Sequence, residues 1–427
     1  MSMRLEEKIV EALKEGFVCD NCIGRLVANL LSGFSNNERG RIFRHYIAFL
    51  IDSGEKIDVD MNNFYGIRFR NVKLDIKKPE KCKICKNFFL EQVDKLASQI
   101  ARELKGIEFK TFLIGSMPTN EMLKEEEKLY ERIGTDFVEP IKSEINREIG
   151  KSVEKKIKKV VSQKNPDVTL IVNLETGKIK KEIRSLFIFS KYKKLVRGIP
   201  QTRWVCPKCM GKGCVNCKAT GKLYPTSIQE IVEKPLLKAA KAKKSAFHAA
   251  GREDIDARCL DYRPFVIELV KPIKRTIELK KIEKNINKSK KVNVKGLKFV
   301  TKDVILRLKT ERIDKTYVAE VDFEKKIDRK KLKELKKLVE EPILQKTPIR
   351  VVHRRADKFR KRFVKKLSWK VVGKKKMVLK IRGESGLYIK ELISGDQERT
   401  NPNVSDLIDN KSKRIKLDVI KIHTKGY

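Results

Sequence analysis

The hydrophobic and polar positions of the first part of the chain follow a helical pattern. "MSMRLEEKIVEALKEG" is a charged amphipathic helix pattern, and "GRLVANLLSGFSNNERGRIFRHYIAFLI" also has the spacing of helices. We therefore predict a helical module over residues 1–85. The pattern changes after it.

Residues 86–204 alternate between helical and strand-like runs, which predicts a small α/β domain. A charged helix, "VEPIKSEINREIGKSVEKKIKKVV", precedes two strand-like runs, "DVTLIVNL" and "KKEIRSLFIFSKYKKLV". These runs are joined by Glu175-Thr176-Gly177-Lys178, a modest hairpin signal. The exit, "SKYKKLVRGIPQTRW", mixes basic and aromatic residues with Gly and Pro, a composition suited to gripping phosphates and stacking on bases.

The remainder of the chain has an α+β pattern. A helix beginning near Ser227 is followed by β-branched runs such as "FVIELVKP", "TYVAEVDF", "MVLKIRGE" and "IKLDVIKIH", which alternate with basic helices. We predict a mostly antiparallel mixed sheet over residues 225–427, joined to the preceding domain by a connector at 205–224. At 427 residues, two or three domains are expected.

The charge of the chain indicates a polyanionic partner. Lys and Arg number 100 against 56 Asp and Glu, a formal net charge of +44, and the basic residues are spread along the sequence. Such a surface attracts nucleic acid. A solvated thermophile surface is the alternative, because the chain is rich in Lys and Glu, but such surfaces tend to balance their signs.

We expect a cytoplasmic protein without a membrane anchor. No apolar run approaches the roughly 20 residues that span a bilayer, and the N-terminus lacks a signal-peptide core. Cytoplasmic thiols stay reduced, so cysteine pairs are interpreted as metal ligands before disulfides.

Eight of the nine cysteines form four C-x-x-C pairs: Cys19/Cys22, Cys82/Cys85, Cys206/Cys209 and Cys214/Cys217. We predict two closed four-cysteine sites holding about two structural zinc ions, since four thiolates leave no ligand position open for water or substrate. A dithiol redox pair is the alternative, but nothing nearby resembles a thioredoxin-like unit. Cys259 is expected to be a buried free thiol.

Several catalytic signatures are missing from the sequence. There is no P-loop, no dinucleotide-binding G-x-G-x-x-G turn and no H-x-E motif of zinc deaminases. What remains is a polar cluster, "GREDID" at 251–256, placed directly before a strand-like apolar run. The sequence therefore favours a site centred on a carboxylate that uses no organic cofactor.

The stretch "GREDIDAR…RPFVIEL" resembles the catalytic motif of pseudouridine synthases. With "KTYVAEV" at 315–321, "QKTPIRVVHRRAD" at 345–357 and "GLYIKELISGD" at 386–396, it is similar to the THUMP-containing tRNA pseudouridine synthases of archaea and eukaryotes, the tenth pseudouridine synthase family. The resemblance is specific over 166–427, including "LVRGIPQT". Asp261-Tyr262 stands where the family usually has glycine beside the "RPF" arginine.

The resemblance implies that Asp254 is the catalytic nucleophile. A carboxylate can attack or assist at the sugar while the glycosidic bond breaks. It must stay ionised beside RNA phosphates, which requires a nearby cation. Lys390 resembles the basic partner of the family, and in a strand it would share a face with Tyr388, a further substrate-binding candidate.

Four other residues receive expected roles. Tyr317 resembles the active-site tyrosine that stacks on the flipped uracil, although a core aromatic on a strand is the alternative. Arg252 would help to hold the base out of its stack, and Arg197 is expected to contribute to tRNA binding. Asp256 is expected to be structural.

The resemblance implies a tRNA pseudouridine synthase of archaeal type that converts uridines 54 and 55 of the T loop. A THUMP-like N-terminal half would grip the acceptor end of tRNA, and no obligate protein partner is evident. The alternative is a noncatalytic THUMP-type RNA-binding protein or RNA chaperone. A THUMP-type thiouridine synthase or methyltransferase would need an ATP or S-adenosylmethionine loop, which is not found.

Overall fold

The computed structural model describes residues 3–424 and residue 426, and the chain divides into two compact units, Met1–Arg184 and Ser185–Tyr427. In the part of the chain that is described, no helix combines the length and the apolar character needed to cross a membrane. Each unit is described separately below.

The first unit contains seven α-helices within the described residues. They are α1 Leu5–Leu13, α2 Asp20–Arg25, α3 Asn36–Asp52, α4 Phe88–Glu91, α5 Val93–Glu103, α6 Asn120–Ile133 and α7 Ile141–Ile157, with a 3-10 turn at Met61–Phe64. α3 begins with a capping box, in which Ser35 accepts from the amide of Glu38 while the Glu38 carboxylate accepts from the amide of Ser35.

Two glycines allow α2 and α3 to pack in direct backbone contact. A Cβ atom on Gly24 would lie 1.8 Å from the carbonyl oxygen of Asn36, and one on Gly40 would lie 1.8 Å from the carbonyl oxygen of Asp20. Any side chain at either position would force the helices apart, so the helix pair that carries the first cysteine dyad depends on both glycines.

A four-stranded sheet completes the first unit. Its strands are β1 Thr111–Met117, β2 Val160–Val161, β3 Val168–Asn173 and β4 Ile179–Ile183, in the order β2-β1-β3-β4. β1 is parallel to β2 and β3, and the predicted hairpin is present as the antiparallel pair β3 and β4. One hydrophobic cluster includes buried residues from Ile9 to Val172, so the predicted boundary at residue 85 does not separate two cores.

The second unit is built on an eight-stranded sheet. Its strands are β5 Leu186–Lys194, β6 Lys244–Ala249, β7 Arg258–Val270, β8 Val292–Val300, β9 Lys315–Phe323, β12 Val364–Gly373, β13 Lys376–Gly383 and β15 Ser412–Ile422. The order is β12-β13-β9-β15-β7-β5-β8, with β6 also paired to β7. Every pair is antiparallel except β15 with β7, which confirms the predicted mixed, mostly antiparallel sheet.

Smaller elements surround this sheet. A three-stranded sheet has the order β11-β10-β14, formed by β10 Ile343–Gln345, β11 Arg360–Arg362 and β14 Thr400–Asn401. The helices are α8 Ile228–Ala240, α9 Leu279–Ile286, α10 Asp303–Thr310, α11 Lys337–Glu340, α12 Ile389–Ser394 and α13 Val404–Leu407, with 3-10 turns at Val215–Cys217, Lys331–Lys336 and Ile349–Arg354.

The predicted single strand-like run at 180–196 is in fact two strands in different sheets. β4 ("IKKEI") is an edge strand in which the charged side chains of Lys180 and Glu182 are exposed, whereas β5 ("LFIFSKYKK") lies between β7 and β8 and carries an apolar run at its start. The two units therefore divide after Arg184, about twenty residues before the boundary that the sequence predicts at 204.

Candidate active site and cysteine clusters

The acidic cluster forms the loop between β6 and β7. Gly251 has a φ of +76°, a left-handed conformation that favours glycine, and a Cβ atom there would lie 3.3 Å from Nη1 of Arg263 and 3.7 Å from the side chain of Lys315. Glycine thus lets the loop lie directly on two buried cationic side chains.

The Asp254 carboxylate lies between two cations. Nη1 of Arg350 donates to its Oδ1 at 2.8 Å, and Nζ of Lys390 is 3.6 Å from its Oδ2. Lys390 also contacts both carboxylate oxygens of Asp256 at 2.7 Å. The Asp254 side chain is 27% exposed, so the carboxylate is held in place and is accessible to solvent.

Arg350 is anchored by a buried acid. Its Nε donates to Oε1 of Glu391 at 2.6 Å, and its guanidinium group lies 5.9 Å from the ring centre of Tyr388. The Glu391 side chain is only 4% exposed. Burial opposes the charge of Arg350, but Glu391 and Asp254 outweigh it and raise the Arg350 pKa. The two ion pairs of Arg350, with Glu391 and with Asp254, fix the direction of the Asp254 carboxylate.

Lys390 lies in the first turn of α12, so the expectation that it shares a strand face with Tyr388 is wrong. Tyr388 precedes the helix, and its backbone exchanges two hydrogen bonds of 2.9 Å with the side chain of Gln345. Because consecutive helical residues point in different directions, Lys390 reaches Asp254 and Asp256 while Glu391 reaches Arg350. The hydroxyl of Tyr388 accepts from Arg355.

Tyr317 lies on β9 between β13 and β15. Burial is the main cause that raises its pKa to about 12, with Arg263 opposing and the negative charge of Asp254 adding to the shift. The hydroxyl is therefore protonated at neutral pH and lies within the electrostatic reach of Asp254.

A buried polar network supports the loop from below. The Glu253 carboxylate accepts from the Tyr192 hydroxyl at 3.0 Å and lies 3.1 Å from Nε of Arg263. Gln201 donates to the Tyr192 oxygen at 2.7 Å and to the carbonyl of Gly251 at 2.9 Å. These contacts join the loop to β5, β7 and the segment that follows β5.

Lys194 fixes the loop backbone directly. Its Nζ donates to the carbonyls of Asp254 at 3.0 Å and Ile255 at 2.8 Å, and burial lowers its pKa. Tyr192 and Lys194 lie in the segment that the sequence predicted to grip RNA, yet both side chains are fully buried. Both side chains therefore position the loop between β6 and β7.

The cysteines form two groups of four, as predicted. In both groups, the sulfur atoms lie within 4.8 Å of one another. The first group consists of Cys19, Cys22, Cys82 and Cys85, and the second of Cys206, Cys209, Cys214 and Cys217. Tetrahedral coordination with metal–sulfur bonds of about 2.3 Å requires sulfur separations of about 3.8 Å. The observed separations include 3.5 Å in the first group and 3.7, 3.8 and 3.9 Å in the second.

Backbone amides also point at these sulfur atoms. Gly213 and Gly221 donate to Cys209 and Cys217 at 3.2 Å, as expected for thiolate acceptors. Both groups can therefore hold a metal ion. Cys259 is a buried free thiol whose pKa is raised by burial to about 11.

Comparison with known proteins decides the family. The family model described as "Pus10, C-terminal" matches residues 187–423, and "Pus10 THUMP domain, archaeal" matches residues 96–173. Three relatives named tRNA pseudouridine synthase Pus10 are similar over nearly their whole length. The protein of Methanothrix thermoacetophila is 38% identical, and the alignment covers 97% of this chain and 93% of the relative. The proteins of Methanopyrus kandleri (39% identical, 98% and 99% covered) and Methanocaldococcus jannaschii (43% identical, 97% and 93% covered) are similar to the same extent. The chain belongs to the Pus10 family.

Membership confirms the recognised family and the pseudouridine synthase class of the enzyme. The Pus10 C-terminal match begins within β5, close to the boundary between the two units. A solved Cbf5–Nop10–Gar1 complex is 14% identical over 54% of this chain and 48% of its own, with a TM-score of 0.30, too distant to add to the assignment.

Within this Pus10 fold, the structure brings together Asp254, Lys390 and Tyr317 but gives Arg197 another role. Arg197 donates to the carbonyls of Asp256 and Leu417 at 2.7 Å and pairs with Asp418 at 2.6 Å. Its contacts join the catalytic loop to β15. Arg252 is exposed at the start of the loop.

Sequence reasoning missed Arg350 and Glu391. Both lie in stretches that carry the family resemblance, "QKTPIRVVHRRAD" and "GLYIKELISGD", so the signal was available. However, a dense run of basic residues gives no sign of which arginine turns inward toward Asp254.

Proposed function

We propose that this Pus10 member converts uridine to pseudouridine in the T loop of tRNA, at positions 54 and 55, with Asp254 as nucleophile. The observation that carries the proposal is the partly exposed Asp254 carboxylate held between Arg350 and Lys390 on a rigid loop. An ionised carboxylate with a fixed direction is what the breaking of a glycosidic bond requires.

The reaction is an isomerisation and balances without a cofactor. The bond between C1′ and N1 of uridine breaks, the uracil turns, and a bond between C1′ and C5 forms. The C5 hydrogen leaves as a proton and N1 gains one. As nucleophile, the Asp254 carboxylate forms a transient covalent bond to the nucleotide when the C1′–N1 bond breaks, and that bond breaks again when the C1′–C5 bond forms. Arg350 and Lys390 hold the carboxylate in the direction of attack.

The remaining site residues act on the flipped base. A uridine must leave its stack before Asp254 can reach its sugar. Tyr317 offers an aromatic face for the uracil and a protonated hydroxyl. Arg252, exposed beside Asp254, would occupy the space that the base leaves. Tyr388 borders the site next to Arg350.

Zinc is the proposed occupant of both cysteine groups, because four thiolates at these separations suit its tetrahedral geometry. A zinc ion in such a site supplies a structural cross-link. The first group would clamp the helical part of the N-terminal unit, which, with its THUMP-like part, would bind the acceptor end of tRNA.

Substituting Asp254 with Asn tests the proposal. The amide keeps the shape of the side chain but removes the charge and the nucleophilicity, so turnover should vanish while tRNA binding survives. Turnover is measured by tritium release from tRNA labelled at C5 of uridine, and the modified position by mass spectrometry after a pseudouridine-specific chemical tag.

Asp256→Asn is the matched control, because this carboxylate also contacts Lys390 but is more exposed. It should keep substantial activity. If Asp254→Asn were active and Asp256→Asn inactive, the nucleophile would be Asp256. If wild-type protein bound tRNA but released no tritium, the noncatalytic alternative would hold.

A further inference from the structure

The segment that holds the second cysteine group, residues 205–224, has an unusual surface; we call it the knuckle. It contains four lysines and no Asp or Glu. Lys208, Lys212 and Lys218 are exposed, and among the described residues none forms an ion pair with them; the fourth, Lys222, pairs with Glu230. Within the described residues, the knuckle therefore presents three lysine charges that have no carboxylate partner.

Two large apolar side chains of the knuckle are exposed as well. Val215 is 94% exposed and Met210 is 77% exposed, in a segment too small to bury them. Both side chains are therefore available for contact with a partner.

The knuckle is firmly built and attached to the catalytic loop. Its two ends pair through Cys206 and Gly221 at 2.9 Å, and the rings of Trp204 and Tyr224 pack edge to face at 5.7 Å. Gln201, just before the knuckle, donates to the loop carbonyl of Gly251. The chain segment that leads into the knuckle therefore also holds the loop between β6 and β7.

We propose that the knuckle is a second RNA-contacting surface, in which Lys208, Lys212 and Lys218 bind phosphates of the tRNA substrate while Met210 and Val215 contact the face of an unstacked base. The inference rests on the proposed function. Charge complementarity favours RNA as the occupant, since three lysines without an acidic neighbour match a run of phosphates.

The charge contribution is tested by salt dependence of tRNA binding. Each phosphate contact on single-stranded RNA contributes about 0.7 to the slope of log affinity against log salt. Replacing all three lysines with Gln should therefore lower the slope by about 2 and weaken binding about 100-fold near 0.1 M salt. Binding is measured in the Asp254→Asn background, where turnover cannot change the RNA.

The matched control removes the same charge elsewhere in the second unit. Lys366, Lys370 and Lys374 are exposed on β12 and the turn that follows it. Replacing these three with Gln should change the slope by less than 1. Equal losses in both triple variants would overturn the proposal, because they would reflect only net charge. Metal content and thermal unfolding of each variant establish that the knuckle remains folded.

The apolar part is tested separately. Met210→Ser with Val215→Ser should weaken tRNA binding several-fold and leave the salt slope unchanged, because no charge is lost. A photoreactive p-benzoylphenylalanine at Val215 should cross-link to tRNA. Cross-linking only to a protein, or unchanged affinity in both knuckle variants, would overturn the proposal. Tritium release by the wild-type protein, measured in parallel, shows whether the proposed function itself stands.

Discussion

Lys315 should cost the second unit stability at neutral pH, and replacing it with Met should reveal how much. Its side chain is buried beneath the catalytic loop beside Arg263, and its Nζ donates to the carbonyl of Ile313 at 2.7 Å. Burial, followed by the positive charge of Arg263, lowers the Lys315 pKa from 10.5 to about 8.

The magnitude follows from this shift. This lowering from 10.5 to about 8 corresponds to about 3 kcal/mol by which the fold disfavours the charged lysine. Losing the hydrogen bond to Ile313 removes about 1 kcal/mol of stabilisation. Met has a similar length and volume, so Lys315→Met should raise the free energy of unfolding by about 2 kcal/mol at pH 7.

The gain should depend on pH with a definite sign. Between pH 8 and 10.5 the folded lysine is mainly neutral while the unfolded one is still protonated, so the unfolded state binds more protons. The wild-type protein therefore gains stability relative to the variant as pH rises through this range. The difference should shrink from about 2 kcal/mol at pH 7 toward zero near pH 10.

Urea unfolding of wild-type protein and variant at pH 7 and pH 9.5 measures this difference. Lys380→Met, an exposed position on β13, is the control and should shift stability by less than about 0.5 kcal/mol at both pH values. A Lys315→Met variant that is less stable at pH 7, or whose advantage is independent of pH, would refute the reasoning. Turnover should fall despite the added stability, because the loop loses a supporting cation.

Three further predictions concern other supports of the site. Arg350→Ala should lower turnover on the order of 100-fold with a smaller change in KM, because Asp254 loses its direction; Arg350→Lys should restore part of it, which tritium-release kinetics can show. Arg197→Met should destabilise the second unit by about 2 kcal/mol in urea unfolding and leave the salt slope of tRNA binding unchanged. Metal analysis of protein purified without chelator should find about two zinc ions per chain; none would contradict the assignment.

Much of the fold could be predicted because its signals are local. The hairpin at Glu175-Thr176-Gly177-Lys178 and the mostly antiparallel C-terminal sheet follow from alternation and turn residues. The division after Arg184 could not be predicted, since only Arg184 and Ser185 separate β4 from β5 and neither Gly nor Pro marks a turn between the two strands.

In the site, too, features that depend on nearby residues could be predicted, and features that depend on contacts between distant parts of the chain could not. The cysteine pairs are recognisable by residue type and spacing, whereas Asp254 and Lys390 are recognisable only through the stretches that resemble the family. The helix at Lys390 was not predicted, because a helix of 6 residues is too short to show a helical periodicity. Arg197 and Arg350 are both arginines in basic stretches, and only tertiary contacts make one a structural link and the other a partner of Asp254.

The position of β15 has a consequence for biosynthesis. This strand lies between β9 and β7, so two halves of the eight-stranded sheet have no hydrogen-bonded connection until it is inserted. Residues 412–422 must leave the ribosomal tunnel before Asp418 can accept from Arg197 and Arg258 beside the catalytic loop. Until then the nascent chain holds two separate parts of the sheet, and the loop between β6 and β7 acquires this support only after translation has passed β15.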